Sequence, residues 1–402
     1  MPAISTFFQD AGLDTLTKTM LGRSSTGSAE VGEVLATVAR IPEGDRAAWV
    51  TEWEATADRV SAVAAGCEDR KHLKSARDAY VRAAAYYAVV VAAADGCDDP
   101  DAAIARTFAA HRRCWESFCD LLDRPPARVE IPYEGTTMPA WFFTVDDTPR
   151  PTLILSNGSD GALTSMFPGI GTDALERGYH VILFDGPGQQ SLLFERGIPF
   201  RPDWEHVITP VVDWLVDQPT VDRERIAIYG ISQGGYWVPR ALCFEHRLVA
   251  GIADGGVDDV GATWRANLPD ELLTLLHQGD KDTFDQLMEA GLAQSPATRE
   301  ILAWRAKPYG ADSGFDLYRA VDEYRLTQEL ADQIRVPLCI ADPDAEQFFP
   351  GQPTRLAEML GDRSTVVRFT ADEGADGHCQ PMARGLAAQR FLDWLDEIVA
   401  TS

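Results

Sequence analysis

A serine set between closely spaced glycines is the strongest chemical signal in this sequence. The pattern Gly230–Gly234 directly follows an apolar stretch typical of a strand, 225–229, and directly precedes a stretch typical of a helix. Small residues permit a tight turn between two such elements, and the turn exposes the serine hydroxyl. It also directs the next amide N–H toward a developing oxyanion. The pattern therefore predicts Ser232 as a nucleophile, with a purely structural glycine turn as the alternative.

A nucleophilic serine needs a base, and three histidines follow Ser232 in the chain. In hydrolases that carry this turn the order is serine, acid, histidine. His246 closes the helix predicted after the turn, about 20 Å away at 1.5 Å per residue. His277 comes before the loop that is expected to supply the acid, so it does not fit this order. His378 lies in the glycine-rich loop after the last predicted strand, so we predict His378 as the base.

The acid that orients this histidine should follow the predicted strand 337–341, where the loop contains Asp342, Asp344 and Glu346. In the common hydrolase turn the functional acid stands about nine residues after the proline that opens the strand. That spacing indicates Glu346. Asp344 remains the alternative, because its carboxylate comes only two residues earlier.

Backbone amides should stabilise the oxyanion. The predicted third strand, 152–155, is followed by a glycine-containing loop, from which we assign the N–H of Ser159 together with that of Gln233. The turn 185–190 follows the fourth predicted strand. It either shapes the floor of the site or is purely structural.

The elements around these residues form two regions. Residues 1–127 contain amphipathic stretches and no predicted strands, which indicates an N-terminal all-helical domain. Residues 128–402 begin with a hairpin and then alternate apolar strands with helices, a pattern typical of a mostly parallel sheet covered on both faces. We predict eight strands, with a helical insert at 262–330 between the sixth and the seventh. Within this alternation we predict helices at 164–177 and 233–246.

Five motifs occur in the order of the α/β-hydrolase fold: NGSDG, FDGPGQ, GISQGG, EQFFPGQ and DGHCQ. With its helical N-terminus the chain resembles the branch that contains 2,6-dihydroxypseudooxynicotine hydrolase and the fungal pigment hydrolases that shorten polyketides. The resemblance implies cleavage of a carbon–carbon bond beside a ketone by the same triad, in a cavity that the helical domain helps to form. Most relatives carry Asp where this chain has Glu346, which keeps Asp344 open. Asp258 or Asp259 could supply an additional acid.

Composition excludes several other classes of protein. The chain has 402 residues and a net charge of −26, which repels phosphate backbones and anionic lipid heads, so we expect neither a nucleic-acid nor a membrane partner. The start of the chain does not resemble a targeting segment, and the longest apolar stretch, 83–94, is too short to span a bilayer. Seven scattered cysteines and the lack of metal-ligand motifs indicate reduced thiols in the cytoplasm, without disulfides or a metal.

We therefore expect a cytoplasmic, cofactor-free serine hydrolase that cleaves a β-dicarbonyl or acylated aromatic small molecule. A carboxylesterase or an acyl-peptide or amide hydrolase of the same fold is the first alternative. A non-catalytic binding module is the second, and loss of triad residues would mark it. A dinucleotide site at 169–174 is disfavoured, because its first glycine lies about fourteen residues after the strand instead of in its turn. The sequence leaves a homodimer open.

Overall fold

The computed structural model describes residues 6–401, and its centre is an eight-stranded sheet. The strands are β1 (Ala127–Tyr133), β2 (Thr136–Phe143), β3 (Arg150–Ser156), β4 (His180–Phe184), β5 (Val221–Ile231), β6 (Leu248–Asp254), β7 (Leu338–Pro343) and β8 (Ser364–Phe369). Their order across the sheet is β1-β2-β4-β3-β5-β6-β7-β8. β2 pairs antiparallel with β1 and β4, and all other neighbours are parallel. The predicted α/β class with a mostly parallel eight-stranded sheet is confirmed.

The central strands are buried on both faces because apolar residues point to both sides of the sheet. In β5, Ile226 and Ile228 belong to one hydrophobic cluster, whereas Ala227 and Tyr229 belong to another. This alternation follows the two-residue period of a strand. Since the parallel strands end at one edge of the sheet, the loops that follow β3, β5, β6, β7 and β8 meet there.

Helices precede the first strand in the described part of the chain. They are α1 (Ala11–Gly22), α2 (Val31–Val38), α3 (Arg46–Asp69), α4 (Leu73–Val91) and α5 (Pro100–Asp120). The side chains of Asp10, Asp45 and Asp99 cap α1, α3 and α5. α5 packs on the sheet through Trp115, whose ring centroid lies 6.1 Å from that of Trp141 in β2. One hydrophobic cluster therefore runs from these helices into the sheet.

The next helices alternate with the strands. They are α6 (Thr172–Glu176), α7 (Gln190–Phe194), α8 (Glu205–Val216) and α9 (Gly234–Leu242). The predicted helix 164–177 is wrong in its first half, because the backbone at Pro168 and Gly169 is not helical and regular helix begins only with α6. Proline lacks the amide N–H and glycine readily adopts other conformations, so this pair breaks a helix. The predicted helix 233–246 also ends early, with α9.

Between β6 and β7 the chain forms α10 (Val260–Arg265), α11 (Asp270–Gln278), α12 (Lys281–Leu292), α13 (Pro296–Ala306), α14 (Gly314–Asp322) and α15 (Gln328–Ala331). The predicted helical insert is therefore confirmed. It meets the N-terminal helices, since Lys307 forms an ion pair with Asp101 of α5. α16 (Gln352–Leu360) and α17 (Arg384–Thr401) follow β7 and β8. The division into domains 1–127 and 128–402 stays a prediction; residues 1–5 and 402, which it includes, lie outside the described range.

Candidate active site

Ser232 occupies the turn between β5 and α9 with a left-handed backbone, at a φ of 56°. Its amide N–H donates to the carbonyl of Asp254 at the end of β6, over 2.8 Å. Glycine is needed around it: a Cβ at Gly230 would lie 2.4 Å from the carbonyl oxygen of Gly234, and one at Gly234 would lie 3.1 Å from that of Ser156. The sequence pattern thus forms the predicted tight turn, at the edge where the parallel strands end.

The imidazole of His378, in the loop between β8 and α17, lies between Ser232 and Glu346. Its Nε2 is 2.9 Å from Oγ of Ser232, and its Nδ1 is 2.8 Å from Oε2 of Glu346. The amide N–H of His378 donates to Oε1 of Gln347 over 3.2 Å, which ties the histidine loop to the loop after β7. The structure therefore brings the predicted nucleophile, base and acid into one hydrogen-bonded chain. Their catalytic roles stay a prediction.

Glu346 is held as a carboxylate by several donors. Its side chain is only 4% exposed. Oε1 accepts the amide N–H groups of Phe348 and Phe349, over 2.8 and 3.1 Å. Burial acts to raise the pKa of Glu346, but the hydrogen bond and charge of His378 and these two amides outweigh it and hold the pKa below its usual value. The group is thus suited to stabilise a positively charged imidazole.

The alternative acid, Asp344, has a different partner. Its carboxylate accepts a hydrogen bond from Arg368 over 3.0 Å, and its side chain is 40% exposed. Arg368 also pairs with Asp342 over 3.5 Å. Of the three carboxylates in this loop, Glu346 is therefore the one that contacts His378.

Ser159 and Gln233, whose amides are assigned to the oxyanion, line the same cavity as Ser232. Among residues 6–401 neither N–H has a backbone or side-chain acceptor, so both are available to a ligand. Gly158 allows their approach, since a Cβ there would lie 2.9 Å from Cβ of Ser232. This arrangement fits an oxyanion site, and the assignment stays a prediction.

Gln189 supports the loop that carries Ser159, a role that the sequence analysis did not predict. Its Nε2 donates to the carbonyls of Asn157 and Gly158 over 2.9 and 3.1 Å, and its Oε1 accepts the N–H of Gly186. The turn 185–190 therefore positions the loop after β3. Glutamine in a glycine-rich turn was the available signal, but nothing in the sequence identified its partner.

A buried charged network beneath the histidine loop also escaped the sequence analysis. Arg384 donates to the carbonyl of Cys379 and to the carboxylate of Asp254, each over 2.8 Å. Tyr229 donates to the same carboxylate over 2.5 Å and accepts from Arg384 over 2.8 Å. Asp254 is the residue whose carbonyl accepts the amide of Ser232. One aspartate thus joins the nucleophile turn to the histidine loop.

Two cavities meet at Ser232, and His378 and Phe348 line both. The first, which we call the helix-side cavity, has a volume of about 230 Å³ and is lined by Thr15, Met20 and Arg23 of the N-terminal helical region. The second, the insert-side cavity, has a volume of about 220 Å³ and is lined by Trp264, Arg305 and Tyr309 of the insert. Both the N-terminal helices and the insert therefore cover the nucleophile.

Asp258 and Asp259 do not line either cavity. Asp258 pairs with Arg355 over 2.8 Å, and Asp259 caps α10 and pairs with Arg265 over 2.7 Å. The expectation of an additional site acid at these positions is wrong. The carboxylate of Asp258 thus joins the loop after β6 to α16, and that of Asp259 stabilises the start of α10.

Within residues 6–401, no helix is both long enough and apolar enough to cross a bilayer. In the same range no three His, Cys, Asp or Glu side chains are grouped to hold a metal ion. All seven cysteines are free thiols.

Part of the chain, residues 174–289, matches the prolyl oligopeptidase family, and this part includes Ser232. Hydrolase LUC6 of Fusarium sp is 28% identical in an alignment that covers 94% of this chain and 94% of that protein. Hydrolase ORFZ of Pyricularia oryzae is 32% identical in an alignment that covers 97% of this chain and 97% of that protein. These matches extend through the N-terminal helices as well as the sheet.

Among solved structures, 2,6-dihydroxy-pseudo-oxynicotine hydrolase has a TM-score of 0.70 to this chain, at 21% identity and with 94% of this chain and 96% of that chain covered. At this level of identity the likeness shows a shared fold. The fungal relatives are similar in sequence along nearly their whole length. The chain is therefore a hydrolase of the α/β-hydrolase family.

Proposed function

We propose that this protein is a serine hydrolase in which Ser232 is the nucleophile, His378 the base and Glu346 the acid that orients the base. The observation that supports this most directly is the unbroken hydrogen-bonded chain from Glu346 through His378 to Ser232, at the point where the two cavities meet. A base within 2.9 Å of a hydroxyl can remove its proton as it attacks a carbonyl.

The reaction then has two stages. Ser232 Oγ bonds to the substrate carbonyl carbon, its proton passes to His378 Nε2, and the carbonyl oxygen becomes an oxyanion facing the amides of Ser159 and Gln233. The leaving group departs with the proton that His378 returns to it. Water, activated by the same histidine, then attacks the acyl-enzyme and frees Ser232. No metal or cofactor is assigned a part in this proposal.

We infer that the bond broken is a carbon–carbon bond beside a ketone in a β-dicarbonyl or acylated aromatic compound. The leaving carbanion must be delocalised into a neighbouring carbonyl or phenol ring, and His378 then protonates carbon. Two supports are the full-length likeness to the fold of a hydrolase named for 2,6-dihydroxy-pseudo-oxynicotine and a nucleophile covered on two sides. Cover on two sides limits the access of water to the carbanion.

Ester or peptide hydrolysis is the second proposal, and the match of residues 174–289 to the prolyl oligopeptidase family favours it. The same triad serves all three reactions, so turnover of an activated ester does not separate them. The test is a comparison of kcat/KM between 1,3-diketones or acylated phenols and esters or peptides of matched size. Preference for the diketones is expected. Rapid turnover of esters or peptides with no cleavage of any diketone would exclude the carbon–carbon proposal.

A fluorophosphonate probe tests whether the protein is a serine hydrolase at all, whichever bond it cleaves. It should label the wild-type protein and fail to label Ser232→Ala, because it reacts with an activated serine. A wild-type protein that is folded yet neither labelled nor active on any of these substrates would instead support a non-catalytic binding module.

We further propose a small-molecule substrate and a cytoplasmic location.

A further inference from the structure

Arg23 lies in the helix-side cavity without a carboxylate partner. It follows α1, and it lines the same cavity as Ser232 and His378. Its Nη2 donates to Oγ of Ser165 over 2.7 Å, and its Nη1 is 3.6 Å from Sδ of Met20. Neither contact neutralises the guanidinium, and among residues 6–401 no acidic side chain forms an ion pair with it. A guanidinium has five N–H donors, so most of those on Arg23 have no acceptor within residues 6–401.

The second guanidinium at this cavity is different. Arg384 donates to the carboxylate of Asp254, to Tyr229 and to the carbonyl of Cys379. Its charge and its donors are thus used inside the protein to hold the histidine loop. Arg23 has no comparable internal role.

The electrostatic surroundings of Arg23 favour an anion. The chain has a net charge of −26, yet Asp160 is the single carboxylate among the described residues that line this cavity, and it is exposed. Burial and the positive charge of Arg384 lower the pKa of Arg23 to about 10. Its charged form is therefore destabilised in the protein alone, and a bound anion would remove that cost.

We propose that Arg23 binds a negatively charged oxygen group of the substrate, either a carboxylate or the enolate of a 1,3-dicarbonyl, in the helix-side cavity while Ser232 reacts with a carbonyl at its floor. The planar fork of arginine suits both groups, because each presents oxygen acceptors in one plane. Arg23 is thus a specificity-determining residue that touches substrate. This inference rests on the proposed function of Ser232 and deepens it by naming the substrate class.

The kinetic test compares two 4-nitrophenyl esters of adipic acid, one with a free second carboxylate and one with that carboxylate methylated. The quantity measured is the ratio of kcat/KM for the charged ester to that for the neutral one. Arg23→Met should lower this ratio about 10- to 100-fold, the range expected for hydrogen bonds to a charged group. Arg23→Lys should lower it less, because the charge remains and the fork is lost. Arg70→Met removes an exposed arginine of the same helical region and should leave the ratio unchanged.

Direct binding separates the two kinds of anion. In the Ser232→Ala protein, adipate is titrated against its dimethyl ester, and 1,3-cyclohexanedione, which is an enolate at neutral pH, against 2,2-dimethyl-1,3-cyclohexanedione, which cannot form one. Tighter binding of adipate alone identifies a carboxylate site, and tighter binding of the enolate alone identifies an enolate site. Either preference should disappear when Arg23→Met is added.

The outcomes distinguish this inference from the proposed function. If fluorophosphonate labels the wild type and Arg23→Met equally, both proteins are folded with an active Ser232. Under that condition, the inference is overturned if the charged-to-neutral ratio is the same in both proteins and neither anion binds more tightly than its neutral partner, or if anion binding survives Arg23→Met. Either result leaves the serine hydrolase intact. If fluorophosphonate fails to label the wild-type protein, the proposed function is overturned instead.

Discussion

Among single residues, the loop after β7 shows how backbone hydrogen bonds and side-chain length select one carboxylate. The N–H of Asp344 donates to the carbonyl of Phe369 over 2.9 Å, so this residue still follows the sheet pairing and its side chain meets Arg368. Glu346 comes after the chain has turned, and its carboxylate reaches His378. The two acids differ by one methylene and two positions, and only the later one is in a position to orient the imidazole.

Glu346→Gln should lower kcat by about 10³- to 10⁴-fold, because an amide cannot fix the tautomer of His378 or stabilise its charged form. Asp344→Asn, the matched control in the same loop, should change kcat less than about threefold, since surface substitutions away from the site are usually small in effect. Steady-state kinetics of the two purified variants checks both values. Reversed losses would make Asp344 the acid.

Ser232→Ala and His378→Ala should each lower kcat by about 10⁴- to 10⁶-fold, and the double variant should be no slower than the single ones, because members of a triad act as a unit. Thermal unfolding of the three variants should stay close to that of the wild type. Additive losses in the double variant, or near-full activity of Ser232→Ala, would contradict the proposed nucleophile and base.

The residues of the candidate site were predictable where a local sequence motif or their order along the chain identifies them. The turn at Ser232 has its glycines within two residues, and only one histidine lies after the predicted acid loop. Arg384 and Asp254 are 130 residues apart, and Gln189 and Asn157 are 32 apart, so their hydrogen bonds depend on how distant strands are brought together. No spacing rule connects such pairs.

Among the elements, α5 connects the helical region to the site through a buried polar face. Arg112 forms an ion pair with Asp185, in the turn that positions the loop after β3. The neighbouring His111 is fully buried, and its Nδ1–H donates to the carbonyl of Ala84 in α4 over 2.8 Å. Burial, with the charge of Arg112, lowers the pKa of His111 to about 3. The imidazole is therefore neutral in the folded protein at any ordinary pH.

This buried histidine predicts a loss of stability in acid. The unfolded chain binds a proton at His111 near pH 6.5, whereas the folded chain does so only near pH 3, so the free energy of unfolding falls as the pH drops below 6.5. Between pH 7 and pH 5 this single group should cost about 2 kcal/mol. His111→Asn should flatten the pH dependence of urea unfolding by that amount. His277→Asn, at an exposed histidine of α11, should leave it unchanged; equal slopes in all three proteins would refute the assignment.

Among the elements, the spacing of apolar residues predicted most boundaries. The prediction failed where residues that break a helix interrupt that spacing. The segment 164–177 has helical spacing of apolar residues, but Pro168 and Gly169 interrupt it, and the freed chain forms a wall of the helix-side cavity. The predicted strand 180–184 agrees with β4 because it is a short, fully buried apolar run. The spacing of apolar residues indicates which face is buried. Whether the backbone can form the matching helix depends also on proline and glycine.

Across the whole molecule, the order of strands and helices was predictable, and the shape of the cavities was not. Alternation of apolar strands with helices specifies a parallel sheet whatever the side chains at its edge. The helix-side cavity instead depends on how α1 approaches the histidine loop: a Cβ at Gly22 would lie 1.8 Å from the carbonyl oxygen of Pro381. That contact joins residues from opposite ends of the chain, so no local pattern contains it.

The N-terminal helices and the sheet share one hydrophobic cluster, which predicts that neither is stable alone. In α5, the ring of Trp115 lies 5.8 to 6.4 Å from those of Trp141, Phe143 and Phe167. A chain of residues 128–402 should expose these aromatic side chains, bind a hydrophobic dye and aggregate, because a large apolar patch in water favours association. It should also lose activity, since α1 and α4 no longer close the helix-side cavity. Size-exclusion chromatography and kinetics check this, and a monomeric, fully active fragment would show that residues 1–127 are a separable domain with no part in the site.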